Sequence, residues 1–297
     1  MTEFNWTYQG KAPIKVRTFI MGYGITRTLL KKIKYHGGKT LVNGEPVLVN
    51  RKLTTNDIVT VVLPPEPEND HVPPSNLPIR IIFEDEHFLI VNKPAGVASV
   101  PAHNRANDSL VNRVKGYYQR QHYANQKIHI VTRLDKDTSG LVIFAKHHFA
   151  HSVLDKQLKD HRIKKTYLAI VAGQFSTDHF EIYLPIRRAA DSLVKREIGL
   201  PGKMSVTEAW PLRRLKNRTL VKIRLHTGRT HQIRVHMKAV GHPLVGDWLY
   251  NPKDESFPRQ ALHCWQLRFF NPFCGRFINC TAPLPSDMKT YLAVYER

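Results

Sequence analysis

The chain has 297 residues, enough to bury a sizeable core and long for a single domain, so one large domain plus a small module is expected. Lysine and arginine number 45 against 24 acids, and the formal charge of +21 favours a polyanionic partner through phosphate contacts. No stretch approaches the roughly 18 apolar residues of a membrane span, and the polar start from Met1 to Lys11 lacks the apolar run of a secretion signal; a cytoplasmic protein that contacts no membrane is expected. Cys264, Cys274 and Cys280 form no Cys-x-x-Cys pair, which argues for buried thiols rather than a disulfide framework or structural zinc. The 16 histidines show no ligand spacing with a mechanism behind it, so neither metal nor cofactor is expected.

In chain order, residues 1–64 carry ten lysines and arginines against three acids, the profile of a small binding module. Thr26 is placed to cap a helix running to about Tyr35, with Leu29, Leu30 and Ile33 on one side at helical spacing. Arg27, Lys31 and Lys34 fall on the other side, stacked into one stripe suited to a phosphate backbone, although a solvated helix face would look the same. Gly37-Gly38 ends the helical period, Leu41–Val47 reads as a turn between short strands around Asn43-Gly44, and Asp57–Val62 as a further strand. On Thr26-Arg27-Thr28, Gly38 through Gly44 and Asn56-Asp57, this part resembles the small alpha-L RNA-binding module shared by a ribosomal small-subunit protein and several tRNA-handling enzymes, which implies a small α/β unit that binds structured RNA.

Residues 65–78, rich in proline and acids, read as a linker. From 79 to 297 the pattern changes to short strands: Ile79–Phe83, Phe88–Asn92, Leu141–Ala145, Lys165–Val171, Ser205–Pro211 and Leu220–Leu225. Helical periods appear at 108–120, 148–160 and Ser286–Tyr295, and 229–240 fits a helix with Ile233, Met237 and Val240 facing the core. Without βαβ alternation, this predicts an α+β domain on a mixed, largely antiparallel sheet with flanking helices.

The densest reactive cluster is Thr132-Arg133-Leu134-Asp135-Lys136-Asp137-Thr138-Ser139-Gly140, a loop between strands whose composition alone would suit a plain polar turn. The run Arg133-Leu134-Asp135-x-x-Thr138-Ser139-Gly140-Leu141, however, resembles the catalytic signature of the RluA/RluD family of RNA pseudouridine synthases. Ile82–His87 with Val91–Gly96, Lys165–Gly173, and Thr227–Met237 followed by Gly241–Leu244 and Gly246-Asp247 resemble that family's other segments in order, so the resemblance covers essentially all of 79–297. It departs at Thr132, where the family usually has histidine.

The resemblance implies isomerisation of uridine to pseudouridine in structured RNA, ribosomal large-subunit RNA ahead of tRNA, by a monomer. It implies Asp135 as the nucleophile that splits a difficult bond exchange into easier steps, and Arg234 as the cation that holds the carboxylate charge in a dry pocket. Tyr167 is expected to pack against the uracil, with its hydroxyl helping to remove the C5 proton. Arg133 is expected to enter the stack vacated by the flipped nucleotide, where a planar guanidinium both stacks and pairs. Arg229 is a candidate phosphate contact, Asp137 a turn acceptor, and His231 and His236 structural donors. Two other readings fit the same composition. A catalytically inactive RNA-binding protein is opposed by intact Asp135, Tyr167 and Arg234, and a glycosidase would want a second carboxylate across the scissile bond.

Overall fold

The structure, a computed structural model, describes residues 2–69, 71–101 and 108–295. The first part builds β1 (Glu3–Thr7), β2 (Ile14–Lys15), α1 (Val16–Gly22), α2 (Arg27–Tyr35), β3 (Lys39–Val42), β4 (Glu45–Pro46), β5 (Lys52–Leu53) and β6 (Ile58–Val62). Thr26 caps α2 by accepting the Leu29 N–H at 3.2 Å, and Leu29 and Ile33 are buried while Arg27, Lys31 and Lys34 are exposed. Asn43 and Gly44 both take positive φ, the backbone that closes a two-residue hairpin between β3 and β4. The four-stranded sheet runs β1-β6-β3-β4. The outer strand β1 was not expected; Phe4 and Trp6 alternate with polar residues over only five positions, a short signal in a polar segment.

The segment 65–78 contains no strand or helix among its described residues, but it is packed rather than loose. Asn69 accepts the Ile128 N–H at 2.8 Å, Ser75 donates its N–H to Asn112 O at 3.0 Å, and half-buried Glu66 pairs with the His129 ring at 2.8 Å. Prolines lack N–H groups to satisfy, so a few side-chain bonds suffice to anchor such a segment without a ladder. The Phe4 ring lies 4.9 Å from Phe149 and 5.4 Å from Phe273, and the Lys32 ammonium is 3.3 Å from His148 Nδ1, so the first part and the rest share a packed seam.

The remainder comprises β7 (Ile81–Glu84), β8 (Phe88–Lys93), α3 (Leu110–Arg120), β9 (His129–Ile130), β10 (Ser139–Ala145), α4 (His148–Lys159), β11 (Lys164–Ala172), β12 (Phe180–Arg188), β13 (Arg196–Ile198), β14 (Lys203–Leu215), β15 (Arg218–Leu225), α5 (Gln232–Ala239), β16 (Leu262–Asn271), β17 (Arg276–Thr281) and α6 (Ser286–Tyr295). An 11-stranded sheet runs β13-β12-β14-β15-β11-β16-β10-β8-β7, with β17 against β16 and β9 against β10. Every strand pair in it is antiparallel except β10 with β16, joined at Ser139↔His263 and Gly140↔Cys264, which makes this the mixed, largely antiparallel α+β sheet that the strand pattern predicts. The core fills the faces of its central strands: β8 and β10 are apolar almost throughout, as strands covered on both sides must be. Among the described residues no helix is long and apolar enough to cross a membrane. Cys264 and Cys280 are buried, but Cys274 is exposed because it lies in the turn between β16 and β17.

Candidate active site

The loop 131–138 leaves β9 and enters β10, and its shape is set by partners from both ends of the chain. The Ser99 hydroxyl donates to Leu134 O at 2.6 Å and accepts the Leu134 N–H at 3.0 Å. Arg259 donates to Asp137 O at 3.0 Å, and Gln260 to the Thr138 hydroxyl at 3.3 Å. Asp137 thus serves the turn through its main-chain carbonyl. Fully buried Lys93 donates to Pro94 O, Val97 O and Lys136 O at 2.7 to 2.9 Å. Burial pushes its amine down to about 7 against the attraction of Asp137 and Asp135, yet three acceptors need three N–H donors, which only the ammonium has. Thr132 is buried and accepts the Ile143 N–H at 3.2 Å through its hydroxyl, so the residue at the family's histidine position ties the loop to β10.

Leu134 turns into the core and Asp135 into a cleft of about 890 Å3. Arg133, Asp135, Lys165, Tyr167, Arg229 and Arg234 all line it, so the sequence motifs converge although they are spread over about a hundred positions. Arg234, on α5, has a side chain 4 % exposed; its Nη1 donates to Asp135 Oδ2 at 3.2 Å, while Nε and Nη2 grip the fully buried Asp247 at 2.7 Å each. The Asp135 side chain is 29 % exposed, accessible from the cleft. One guanidinium therefore joins an inaccessible carboxylate to an accessible one. The planar fork holds its bidentate partner rigidly and presents the remaining nitrogen in fixed geometry.

Tyr167, on β11, is buried with its ring against the cleft. Burial raises its hydroxyl pKa well above 10, aided by Cys264 and Asp135, so the hydroxyl keeps its proton and is a poor base. The expectation that this hydroxyl removes the C5 proton therefore meets an opposing environment. Arg133 and Arg229 are exposed at the rim. Arg27, Lys31 and Lys34 are on α2 and do not line the cleft.

The helix α5 begins three residues later than the period suggests, at Gln232, and Val240 lies at its exposed end rather than in the core. His231 precedes it in the left-handed region at φ 57°. Its Nδ1 is 2.9 Å from the Tyr250 hydroxyl and its Nε2 3.8 Å from Asp135 Oδ2. His236 is buried with Nε2 3.3 Å from Leu184 O, and burial lowers its pKa to about 4, the setting of a structural donor. Asp247, Tyr250 and Lys93 are the site residues that sequence reasoning left without a role. The Gly246-Asp247 pair was visible, but not that a buried arginine would need it. As a metal-ligand cluster among the described residues, His179, Glu181 and Glu208 bring ligand atoms within 4.8 Å of one another, but Glu208 is already bonded to His179 and His226 and does not line the cleft.

Residues 87–239 match the RNA pseudouridylate synthase family. The chain belongs to that family. An uncharacterised RNA pseudouridine synthase of Bacillus subtilis is 38 % identical over 92 % of this chain and 96 % of its own length. A ribosomal large subunit pseudouridine synthase D of Zymomonas mobilis is 38 % identical over 80 % of this chain and 79 % of its own length. Among solved structures, human RNA pseudouridylate synthase domain containing 1 superposes with a TM-score of 0.60 at 26 % identity, over 71 % of this chain and 85 % of that one. The synthase is thus an isomerase that acts on RNA, and all the residues that line the cleft holding Asp135 except Leu262 lie within the matched region.

Proposed function

We propose that this synthase isomerises selected uridines of ribosomal large-subunit RNA, with Asp135 as the nucleophile. The observation that carries the reading is the accessible Asp135 carboxylate, held by one arm of an arginine whose other arms are locked on Asp247. In the proposed reaction a carboxylate oxygen bonds to the ribose C1′, and the C1′–N1 bond breaks with its electron pair on the uracil. The base turns, C5 bonds to C1′, and the pair of the C1′–O bond returns to Asp135. Solvent water takes the C5 proton and supplies one to N1, so atoms balance without cofactor or redox change. The Tyr167 ring packs against the base, and Arg133 at the rim fills the stack that the flipped nucleotide vacates.

The preference for ribosomal RNA is supported by four relatives named ribosomal large subunit pseudouridine synthase D, at 32 to 38 % identity. Residues 1–64 are proposed as a separate RNA-binding module, on the exposed stripe of Arg27, Lys31 and Lys34. The test is Asp135→Asn and Asp135→Ala, with pseudouridine measured by nuclease digestion and chromatography. Both variants are expected to bind RNA and form no pseudouridine; normal turnover by either overturns the assignment. Mapping pseudouridines in cells with and without the protein tests the substrate, and a change confined to tRNA would replace ribosomal RNA by tRNA.

A further inference from the structure

From the sequence His231 has only the role of a structural donor, yet its surroundings are more specific than that. It adopts a left-handed backbone at φ 57°, a region that side-chain-bearing residues enter at a cost and that concentrates at functional sites. The Tyr250 hydroxyl oxygen accepts the main-chain N–H of Arg196 at 2.9 Å. The tyrosine proton is left for its other neighbour, His231 Nδ1, at 2.9 Å. With Nδ1 accepting, the neutral ring carries its proton on Nε2, which faces Asp135 from 3.8 Å, too far for a hydrogen bond to that carboxylate. Burial holds the imidazole pKa below its ordinary value; Asp135 draws it upward, Arg234 and Arg196 push it down, and Asp247 opposes them. Nε2–H is thus a neutral donor without an acceptor in hydrogen-bond range among the described residues, and the residue lines the same cleft as Asp135 and Tyr167.

We propose that His231 is a further catalytic residue, whose Nε2–H donates a hydrogen bond to a carbonyl oxygen of the uracil once the base has left C1′ with the bonding pair. The inference rests on the reading of Asp135 as nucleophile. The detached uracil is an anion whose charge spreads onto its carbonyl oxygens, and it must stay in the cleft while it turns. Arg234 is committed to Asp247 and Asp135, so it has little to offer the base. A protonated imidazole would pair with Asp135 and blunt the nucleophile. A neutral donor stabilises the developing charge without doing so, and no proton is transferred in this step. Tyr250 acts through His231 as a positioning residue that fixes its tautomer.

The experiment is single-turnover isomerisation of a large-subunit ribosomal RNA fragment carrying its target as uridine, 2-thiouridine or 4-thiouridine, because sulfur is a poor acceptor. His231→Asn suits the left-handed backbone, but its shorter amide does not reach the Nε2 position. It is expected to react on the order of a hundredfold more slowly with RNA affinity unchanged, as for loss of one donor to a developing oxyanion. The wild type is expected to slow about tenfold with one of the two thio substrates, and His231→Asn to show no further slowing with that substrate. Tyr250→Phe, which leaves the imidazole in place but frees its tautomer, is expected to lose about tenfold, and it carries the test if His231→Asn does not fold. Undiminished turnover in His231→Asn, or equal thio effects in wild type and variant, overturns the proposal. If Asp135→Ala still isomerises uridine, the nucleophile reading fails instead, a result separate from the thio comparison.

Discussion

Asp247→Asn tests whether the fixed arginine is the structural basis of the site. Asp247 Oδ1 accepts the N–H groups of Leu249 and Tyr250 at 3.1 Å and Arg234 Nη2 at 2.7 Å, while among the described residues Oδ2 accepts only Arg234 Nε, at 2.7 Å. An asparagine can keep Oδ1 in place, but its amide then opposes Arg234 Nε, donor against donor, in a site where the carboxylate is fully buried. Breaking a buried pair by removing one partner costs about 3–5 kcal/mol, and the retained bonds put this substitution near the lower end, about 3 kcal/mol. At roughly 2–4 °C per kcal/mol for a large domain, the melting temperature is expected to fall by about 6–12 °C. Released from its anchor, the guanidinium leans onto Asp135, and turnover is expected to fall roughly ten- to hundredfold with RNA affinity unchanged. Thermal melting monitored by circular dichroism and single-turnover rates on one preparation decide the matter. A melting point within about 2 °C of wild type together with an unchanged rate would refute the argument.

Gly140→Ala is expected to destabilise by about 3–5 kcal/mol, read as a lower denaturation midpoint, because φ there is +115° and a Cβ would lie 2.3 Å from the Cys264 carbonyl oxygen. Burial opposes ionisation of Glu66, but its bond and attraction to His129 and the His148 N–H outweigh that and bring the carboxyl from 4.5 to about 2. A depressed carboxyl stabilises the fold above its unfolded pKa and loses that contribution as pH falls through the folded one. Glu66→Gln should therefore cost about 3 kcal/mol or less near pH 6, and the gap should close between pH 4.5 and 2 in denaturant titrations; a gap constant with pH would contradict this. Replacing Arg27, Lys31 and Lys34 by glutamine should lower RNA affinity and flatten its salt dependence by up to about two to three ions while leaving the single-turnover rate at saturating RNA intact. An unchanged salt slope would remove the stripe from the interface.

How much of this was legible depended on how far each signal extended along the chain. The helix from Arg27 to Tyr35 and the strands at Phe88, Lys164 and Leu220 carry their own caps and periods, so sequence locates them within a few residues. The strand Leu262–Asn271 escaped because His263, Gln266 and Arg268 interrupt its apolar run, and its identity comes from neighbours on both sides. At the site, the resemblance marked Asp135, Tyr167 and Arg234, and all three line the cleft. Distance-dependent roles stayed hidden: nothing local says that Asp247 must neutralise Arg234, that Tyr250 orients His231, or that Lys93 ties the Asp135 loop from a strand about forty residues earlier. Tyr167 shows the converse, since its motif suggests an acid-base group while its burial keeps the proton in place.

The parallel contact between Ser139-Gly140 and His263-Cys264 has a bearing on assembly. With Arg259 and Gln260 beside it, this contact clamps the Asp135 loop using residues more than a hundred and twenty positions downstream. Such non-local pairings require closure of a long loop before they are rewarded, and they form late in synthesis when the chain emerges from its N-terminus. A polypeptide that ended before residue 259 would carry the motif segments quoted from the sequence, yet it would lack the clamp that shapes the loop. On the reading of Asp135 as nucleophile, competence for chemistry therefore waits until the chain has been made at least as far as His263.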